Sequence, residues 1–140
     1  MKEPIKNKLN IFLIEDNPGD MYLISESLKK SKLFYQLFMG TDGSEAIELF
    51  QQCKASKYPK PDLIILDLNL PRIDGREVLS IINNDLYLNK IPIIILSTSL
   101  YNPDLIQVDH SQRILYIQKP YHLKEYESFI QKIESFCRSM

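Results

Sequence analysis

Three short runs of branched apolar residues stand out along the chain, at 11–14, 63–66 and 93–96. Each run lacks polar alternation and is bounded by polar residues or proline. Strands that are covered on both faces have this pattern, because neither side of such a strand meets water. Residues 34–39 and 114–117 indicate two further strands. The pattern therefore predicts a parallel sheet of five strands.

Helical periodicity fills the gaps between these runs. Asn17 before Pro18, and Asp74 three residues before Glu77, are typical helix starts. The apolar residues that recur at steps of three and four are Met21, Ile24 and Leu28, then Ala46, Ile47, Phe50 and Cys53, then Val78, Leu79 and Ile82, and finally Tyr126, Phe129, Ile130, Ile133 and Phe136. After the strand at 93–96 the apolar stripe is weak, so a fourth helix near Pro103 is expected to be short or irregular.

The predicted elements alternate as βαβαβαβαβα. This order favours an α/β fold with right-handed crossovers, a doubly wound five-stranded parallel sheet of the flavodoxin-like (βα)5 type. A chain of 140 residues fits one domain over 1–140.

Bulk composition excludes several classes of function. The net charge is −1, with Lys and Arg scattered, which argues against nucleic-acid binding. The apolar runs are too short to cross a membrane, and no signal segment follows the first methionine, so we expect a cytoplasmic protein. Cys53 and Cys137 have no metal-ligand spacing around them, and we expect both to be buried reduced thiols.

Polar and charged residues follow four of the predicted strands at the points where the strands end. They are Glu15, Asp16, Asp67, Asn69, Ser97, Thr98, Ser99 and Lys119. Ligands of open parallel sheets bind at the carboxyl ends of the strands, so we expect these side chains to share one rim. Each residue alone has an ordinary explanation as a helix cap, a loop residue or a solvated charge, but those explanations do not account for the whole set.

Chemically, such a set is suited to phosphoryl transfer. Crowded carboxylates repel one another, and a hard divalent cation such as Mg²⁺ relieves the repulsion through oxygen ligands. An aspartate held there can act as a nucleophile, while the metal and a lysine neutralise charge on the transferring group.

In this order, the residues resemble the receiver domain of two-component response regulators. The resemblance covers roughly residues 9–137. It is carried by Glu15-Asp16, by Leu66-Asp67-Leu68-Asn69-Leu70-Pro71 with Asp74-Gly75, by Ser97, and by Lys119-Pro120.

The resemblance implies a role for each of these positions. Asp67 corresponds to the phosphoacceptor. Glu15, Asp16, Asp67 and the backbone carbonyl of Asn69 correspond to the ligands of Mg²⁺ (or Mn²⁺).

Further roles on the signalling side are implied in the same way. Ser97 resembles the signalling hydroxyl, Lys119 the lysine that pairs with the phosphorylated aspartate, and Tyr116 the aromatic switch residue. The resemblance also implies a cis peptide bond between Lys119 and Pro120.

The function implied is that of a phosphoacceptor rather than an enzyme, with at most self-catalysed phosphorylation and dephosphorylation. A sensor histidine kinase or a phosphotransfer protein supplies the phosphoryl group, and a downstream protein binds the phosphorylated surface. Whether the protein forms a homodimer is left open. The segments 15–20 and 58–62 are similar to those of small regulators encoded beside bacterial phytochromes, which indicates a light-sensing kinase.

Three departures from the receiver pattern concern the output and dimerisation face. Gln112-Arg113 replaces a usual Gly-Ala pair, Pro103 interrupts the fourth helix, and His122 stands where an Asp-like cap is usual. The irregular fourth helix keeps open an alternative, a phosphorylation-inactive pseudo-receiver that acts as a protein-interaction module. In either case we expect a single receiver domain with no output domain.

Two other classes fit the residues less well. Phosphatases of the haloacid-dehalogenase kind begin with a nucleophile in an Asp-x-Asp signature, whereas here the acidic pair comes first and Asn69 takes the second position. A flavodoxin-like cofactor carrier needs a phosphate-binding loop after the first strand, where Glu15 and Asp16 would repel a phosphate.

Overall fold

The computed structural model describes residues 8–98 and 113–140. In these segments strands and helices alternate along the chain. They are β1 (Leu9–Ile14), α1 (Pro18–Lys29), β2 (Tyr35–Gly40), α2 (Gly43–Lys54), β3 (Leu63–Asp67), α3 (Gly75–Asn83), β4 (Ile93–Ser97), β5 (Ile114–Gln118) and α4 (Glu125–Arg138). The weak helix expected near Pro103 lies outside the described residues, and α4 is the last of the predicted helices.

All five strands are parallel and lie in one sheet, in the order β2-β1-β3-β4-β5. The chain moves outward from β1 to β2 and then returns across β1 to form β3. This reversal is the topological switch point, where open parallel sheets place their ligand sites. It brings the carboxyl ends of β1 and β3 side by side, with Ile14 opposite Leu66. The doubly wound prediction is confirmed.

The sheet separates two apolar layers. One layer joins Leu13 and Ile65 to α1 and α4, and the other joins Ile14 and Leu66 to α2 and α3. Every residue of β3 is buried, as expected for an apolar run that meets no solvent on either face. The strand end at Asp67 is therefore held rigidly from both sides of the sheet.

Side-chain caps fix the starts of three helices. Asn17 Oδ1 accepts a hydrogen bond from the backbone N–H of Asp20 at 2.9 Å, and Asp74 Oδ1 accepts one from Arg76 at 2.8 Å. Asp42 caps α2 in the same manner. These bonds satisfy backbone donors that have no partner within their own helix.

At α4 no side chain caps the start of the helix. The helix begins three residues after His122, and Lys124 in the capping position makes no side-chain hydrogen bond to the helix. Instead, the carboxylate of Glu125 accepts a hydrogen bond from the backbone N–H of Tyr121 at 3.3 Å.

One backbone expectation is wrong. Within residues 8–98 and 113–140 no peptide bond is cis, so the bond between Lys119 and Pro120 is trans. Trans is the lower-energy isomer for most bonds that precede proline, by about 0.5–1 kcal/mol.

None of the helices in the described part of the chain is both long enough and apolar enough to cross a membrane.

Candidate functional site

Three carboxylates meet at the rim formed by the ends of β1 and β3. Glu15 and Asp16 follow β1 directly, and Asp67 is the last residue of β3. One oxygen atom from each lies within 4.8 Å of the others. Glu15 and Asp67 are fully buried, whereas Asp16 is exposed. The cluster is thus enclosed by protein on one side and open to solvent on the side of Asp16.

Lys119 reaches this cluster from the end of β5. Its Nζ lies 3.0 and 2.9 Å from the two carboxylate oxygens of Glu15 and 3.0 Å from Asp67 Oδ2. A third carboxylate, that of Asp20 in the first turn of α1, lies 3.1 Å from the same Nζ. The lysine is therefore an almost buried cation in contact with three carboxyl groups.

Burial and charge shift the pKa values of this pair of residues. Burial and then the hydrogen bond with Asp67 raise the pKa of Glu15 from 4.5 to about 8, although Lys119 opposes the rise. Burial lowers the pKa of Lys119, but hydrogen bonds and charge from Glu15 and Asp67 outweigh this and raise it overall. Burial and the neighbouring Asp67 therefore favour the protonated form of Glu15 unless a further cation is present.

A divalent metal fits this donor set. The three clustered carboxylates are hard oxygen ligands, and the exposed side at Asp16 leaves room for the waters that Mg²⁺ retains. Mn²⁺ accepts the same ligand types. Asn69 lies beside the cluster, because its backbone N–H donates to Asp67 Oδ1 at 2.9 Å. Both oxygens of Asp67 are thereby oriented by the protein, one by Asn69 and the other by Lys119.

The ends of β4 and β5 complete the rim. Ser97, the last residue of β4, accepts a hydrogen bond on its carbonyl from the backbone N–H of Lys119 at 2.8 Å. The next residue, Thr98, is bonded from two sides: Asn69 Nδ2 donates to its hydroxyl at 3.1 Å, and Tyr121 Oη donates to its carbonyl at 2.5 Å. These bonds connect the segments after β3, β4 and β5 across the site.

Tyr116, the expected switch residue, lies on β5 opposite Ile95 of β4. Its partly buried ring packs against the apolar layer that contains α2 and α3. Ser99, the last of the hydroxyl residues that follow β4 in the sequence, lies outside the described residues.

A glycine lets α3 approach the end of β3 closely. A Cβ atom at Gly75 would lie 2.4 Å from the carbonyl oxygen of Asp67 and 2.5 Å from the Cα of Leu68. The backbone N–H of Gly75 donates to the carbonyl of Leu68 at 3.1 Å. No side chain other than hydrogen fits here without moving the backbone that carries Asp67.

The structure brings together most of the residues that the sequence singled out. Glu15, Asp16, Asp67 and Lys119 form one cluster, with Asn69 and Ser97 at adjoining strand ends. Sequence reasoning assigned no part to Asp20 or Tyr121. The signal for Asp20 was its place in the first helical turn after the acidic pair, since that turn starts at the same rim.

The comparisons with known proteins agree with this geometry. The family model of the response regulator receiver domain matches residues 11–131. Response regulator Rcp1 from Synechocystis sp. is 40% identical over 127 residues, which cover 90% of this chain and 86% of Rcp1. The crystal structure of the Mn²⁺-bound form of Rcp1 superposes with a TM-score of 0.79 at 38% identity, covering 92% of this chain and 94% of that one.

A second structural relative is the phosphorylated cyanobacterial phytochrome response regulator RcpA. It has a TM-score of 0.78 and 38% identity, and the match covers 93% of this chain and 94% of that one. The family match spans most of the chain, and the regulators most similar to it include those of phytochromes. The chain belongs to the response regulator receiver domain family, and it is a regulator of a two-component phosphorelay.

Proposed function

We propose that Asp67 accepts the phosphoryl group and that the other rim residues assist this transfer. The observation that carries the proposal is the environment of the Asp67 carboxylate. It is fully buried at the end of β3. One of its oxygens accepts a hydrogen bond from the backbone N–H of Asn69, and the other accepts one from the ammonium group of Lys119. A carboxylate held in a single orientation is prepared to attack phosphorus from a fixed direction.

During transfer, an oxygen of Asp67 forms a bond to phosphorus. The bond between phosphorus and a nitrogen of the donor's phosphohistidine breaks, and the imidazole leaves with its electron pair. Lys119 neutralises charge on the phosphoryl oxygens, and the hydroxyl of Ser97 donates a hydrogen bond to one of them. Tyr116 then rotates toward the space that the Ser97 side chain has left, which changes the surface around β5 and α4.

A divalent metal would be held by Glu15, Asp16, Asp67 and the backbone carbonyl of Asn69. When bound, Mg²⁺ or Mn²⁺ supplies positive charge that offsets the acidic cluster and the incoming phosphoryl oxygens. The Mn²⁺-bound form of Rcp1 supports this assignment.

Membership of the receiver family supports a proposal for the donor and the target of the signal. Receiver domains take phosphoryl groups from histidine kinases or phosphotransfer proteins, and they act on downstream proteins. Because RcpA is a phytochrome response regulator, we propose a light-sensing kinase of the phytochrome kind as donor for this chain. The phosphorylated form would present a binding surface to a target protein or to a second copy of the chain.

A small phosphodonor such as acetyl phosphate provides the test. Purified protein is incubated with it in Mg²⁺ or in EDTA, and the intact mass is measured over time. We expect a gain of one phosphoryl group that requires the metal and is absent from Asp67→Asn. Asp62→Asn, at the opposite end of β3, is the matched control and should gain the group normally.

Two outcomes would contradict the proposal. Uptake by Asp67→Asn at the wild-type rate would move the acceptor to another residue. No uptake by the wild-type protein in either buffer would favour the pseudo-receiver, in which the fold serves protein interaction alone.

A further inference from the structure

The ammonium group of Lys119 has one carboxylate for each of its three N–H donors. Its Nζ contacts Glu15, Asp20 and Asp67 at distances between 2.9 and 3.1 Å. A lysine ammonium offers three donors and no acceptor, so this arrangement uses its full hydrogen-bonding capacity. Glu15 and Asp67 belong to the acidic cluster described above, whereas Asp20 does not.

Asp20 reaches the lysine from a different element. It lies in the first turn of α1, and its backbone N–H is fixed by the Asn17 cap at 2.9 Å. Its side chain is 31% exposed, while those of Glu15 and Asp67 are 0% and 1% exposed. Asp20 therefore contacts Lys119 from the solvent side, and α1 rather than the sheet sets its position.

The three contacts differ in what the transfer requires of them. In the proposed transfer one oxygen of Asp67 becomes bonded to phosphorus, and those of Glu15 would serve as metal ligands. Both residues therefore change their interaction with Lys119 during the reaction. Asp20 has neither task, so its contact can persist throughout.

We propose that Asp20 is a positioning residue, which holds the ammonium of Lys119 beside the transferring phosphoryl group while the other two contacts are exchanged. This inference rests on the proposed function of Asp67. Without Asp20, the flexible lysine chain would have to find the phosphoryl oxygens from several orientations, and the transfer would slow.

A simpler role for Asp20 has to be separated from this one. A negative charge in the first turn stabilises a helix through the helix dipole, whatever Lys119 does. The two roles differ in their dependence on Lys119, and a double-mutant cycle measures that dependence.

The experiment compares rates of phosphoryl uptake from acetyl phosphate in Mg²⁺. Asp20→Ala should slow uptake about three- to tenfold, as expected for loss of a partly exposed, charge-assisted hydrogen bond. Asp20→Asn keeps an oxygen acceptor and should stay within about twofold of the wild type. Glu26→Ala removes an acidic side chain from the same helix that pairs with Lys29 instead, and should react normally.

The same Asp20→Ala change is then made in a Lys119→Ala background. Positioning through the lysine requires the effect to shrink to less than about twofold there. Circular dichroism and thermal unfolding check that each variant is folded.

Each result decides between the possibilities. An equal loss from Asp20→Ala with and without Lys119, or unchanged or faster uptake in Asp20→Ala alone, would overturn the inference and leave the role of Asp67 intact. No uptake by the wild-type protein would overturn the proposed function and this inference with it.

Discussion

At the scale of single residues, the two cysteines lie in apolar surroundings, unlike the charged residues of the rim. Both thiols are buried in the apolar layers, Cys53 on α2 and Cys137 on α4. Burial raises the pKa of Cys137 from 9.0 to about 11, and it also raises the pKa of Cys53. The thiolate is the reactive form, so both groups are protected by low accessibility and by low ionisation.

We therefore expect slow reaction with a thiol reagent such as Ellman's reagent at pH 8 in the native protein. In denaturant both thiols should react at once, because unfolding returns their pKa values to the ordinary range. The absorbance of released thionitrobenzoate measures both rates. Rapid labelling of either cysteine without denaturant would contradict the burial described here.

The residues of the site were predictable to different degrees. Glu15, Asp67 and Lys119 each end or directly follow a strand, and parallel strands collect their carboxyl ends at one rim. Asp20 was not predictable in this way, because its contact depends on how α1 docks against the sheet. The hydrogen bond from Tyr121 to Thr98 depends similarly on the paths of two loops.

At the scale of elements, α3 lies against the end of β3 with no room for a side chain at its first residue. Gly75, the first residue of α3, touches the backbone at Asp67 and Leu68. Caps and periodicity placed this helix in the sequence, but they did not reveal how tightly it packs.

We expect Gly75→Ala to lower the free energy of unfolding by about 1–3 kcal/mol, because the added methyl group collides with backbone atoms. Because this collision would displace the backbone of Asp67, Gly75→Ala should also slow phosphoryl uptake. Urea unfolding measures the first effect and the intact-mass assay the second.

Gly19→Ala is the matched control, since it also lies in a first helical turn. A Cβ atom there would meet only the side-chain oxygen of Asn17, at 3.2 Å. A Gly75→Ala variant as stable as Gly19→Ala would show that the contact relaxes without cost.

Element boundaries were predicted closely where the apolar pattern was strong. The runs at 63–66 and 93–96 became β3 and β4 with one more residue each. The second strand was predicted at 34–39 and lies at Tyr35–Gly40. Glycine has a low preference for strands, but Gly40 pairs with Ile14 of β1, so the strand extends to this residue. The isomer of the Lys119–Pro120 bond was predicted wrongly, since it followed from the family resemblance rather than from a local pattern.

At the scale of the whole molecule, the acidic cluster that the proposed function requires also lowers the stability of the folded state. Three carboxylates whose oxygen atoms lie within 4.8 Å of one another repel, which destabilises the folded state. A ligand that binds only the folded state stabilises it by mass action.

We expect Mg²⁺ at about 100 times its Kd to stabilise the protein by about 2.7 kcal/mol relative to EDTA. Asp16→Asn should be more stable than the wild type in EDTA, because one repelling charge is gone, and should gain less from Mg²⁺. Thermal unfolding in both buffers measures these differences. Glu48→Gln, which removes an exposed charge elsewhere, should respond to Mg²⁺ as the wild type does; an equal response from Asp16→Asn would argue against the metal site.

The overall topology was predictable because alternating strands and helices leave few arrangements with right-handed crossovers. The strand order and the switch point between β1 and β3 needed the structure, since no local pattern records which strands become neighbours.

The end of the sheet opposite the acidic cluster, where β3 and β4 begin, is held together by different contacts. There the ion pair between Lys54 and Asp85 joins the end of α2 to the connection before β4. Lys60, in the connection before β3, lies with its Nζ 4.5 Å from the ring centroid of Tyr87. None of these four residues contributes a group to the cluster. A fluorophore or a tether attached at this end of the sheet should therefore report on the protein without disturbing the chemistry of the cluster. This end is a natural place to convert the regulator into a sensor.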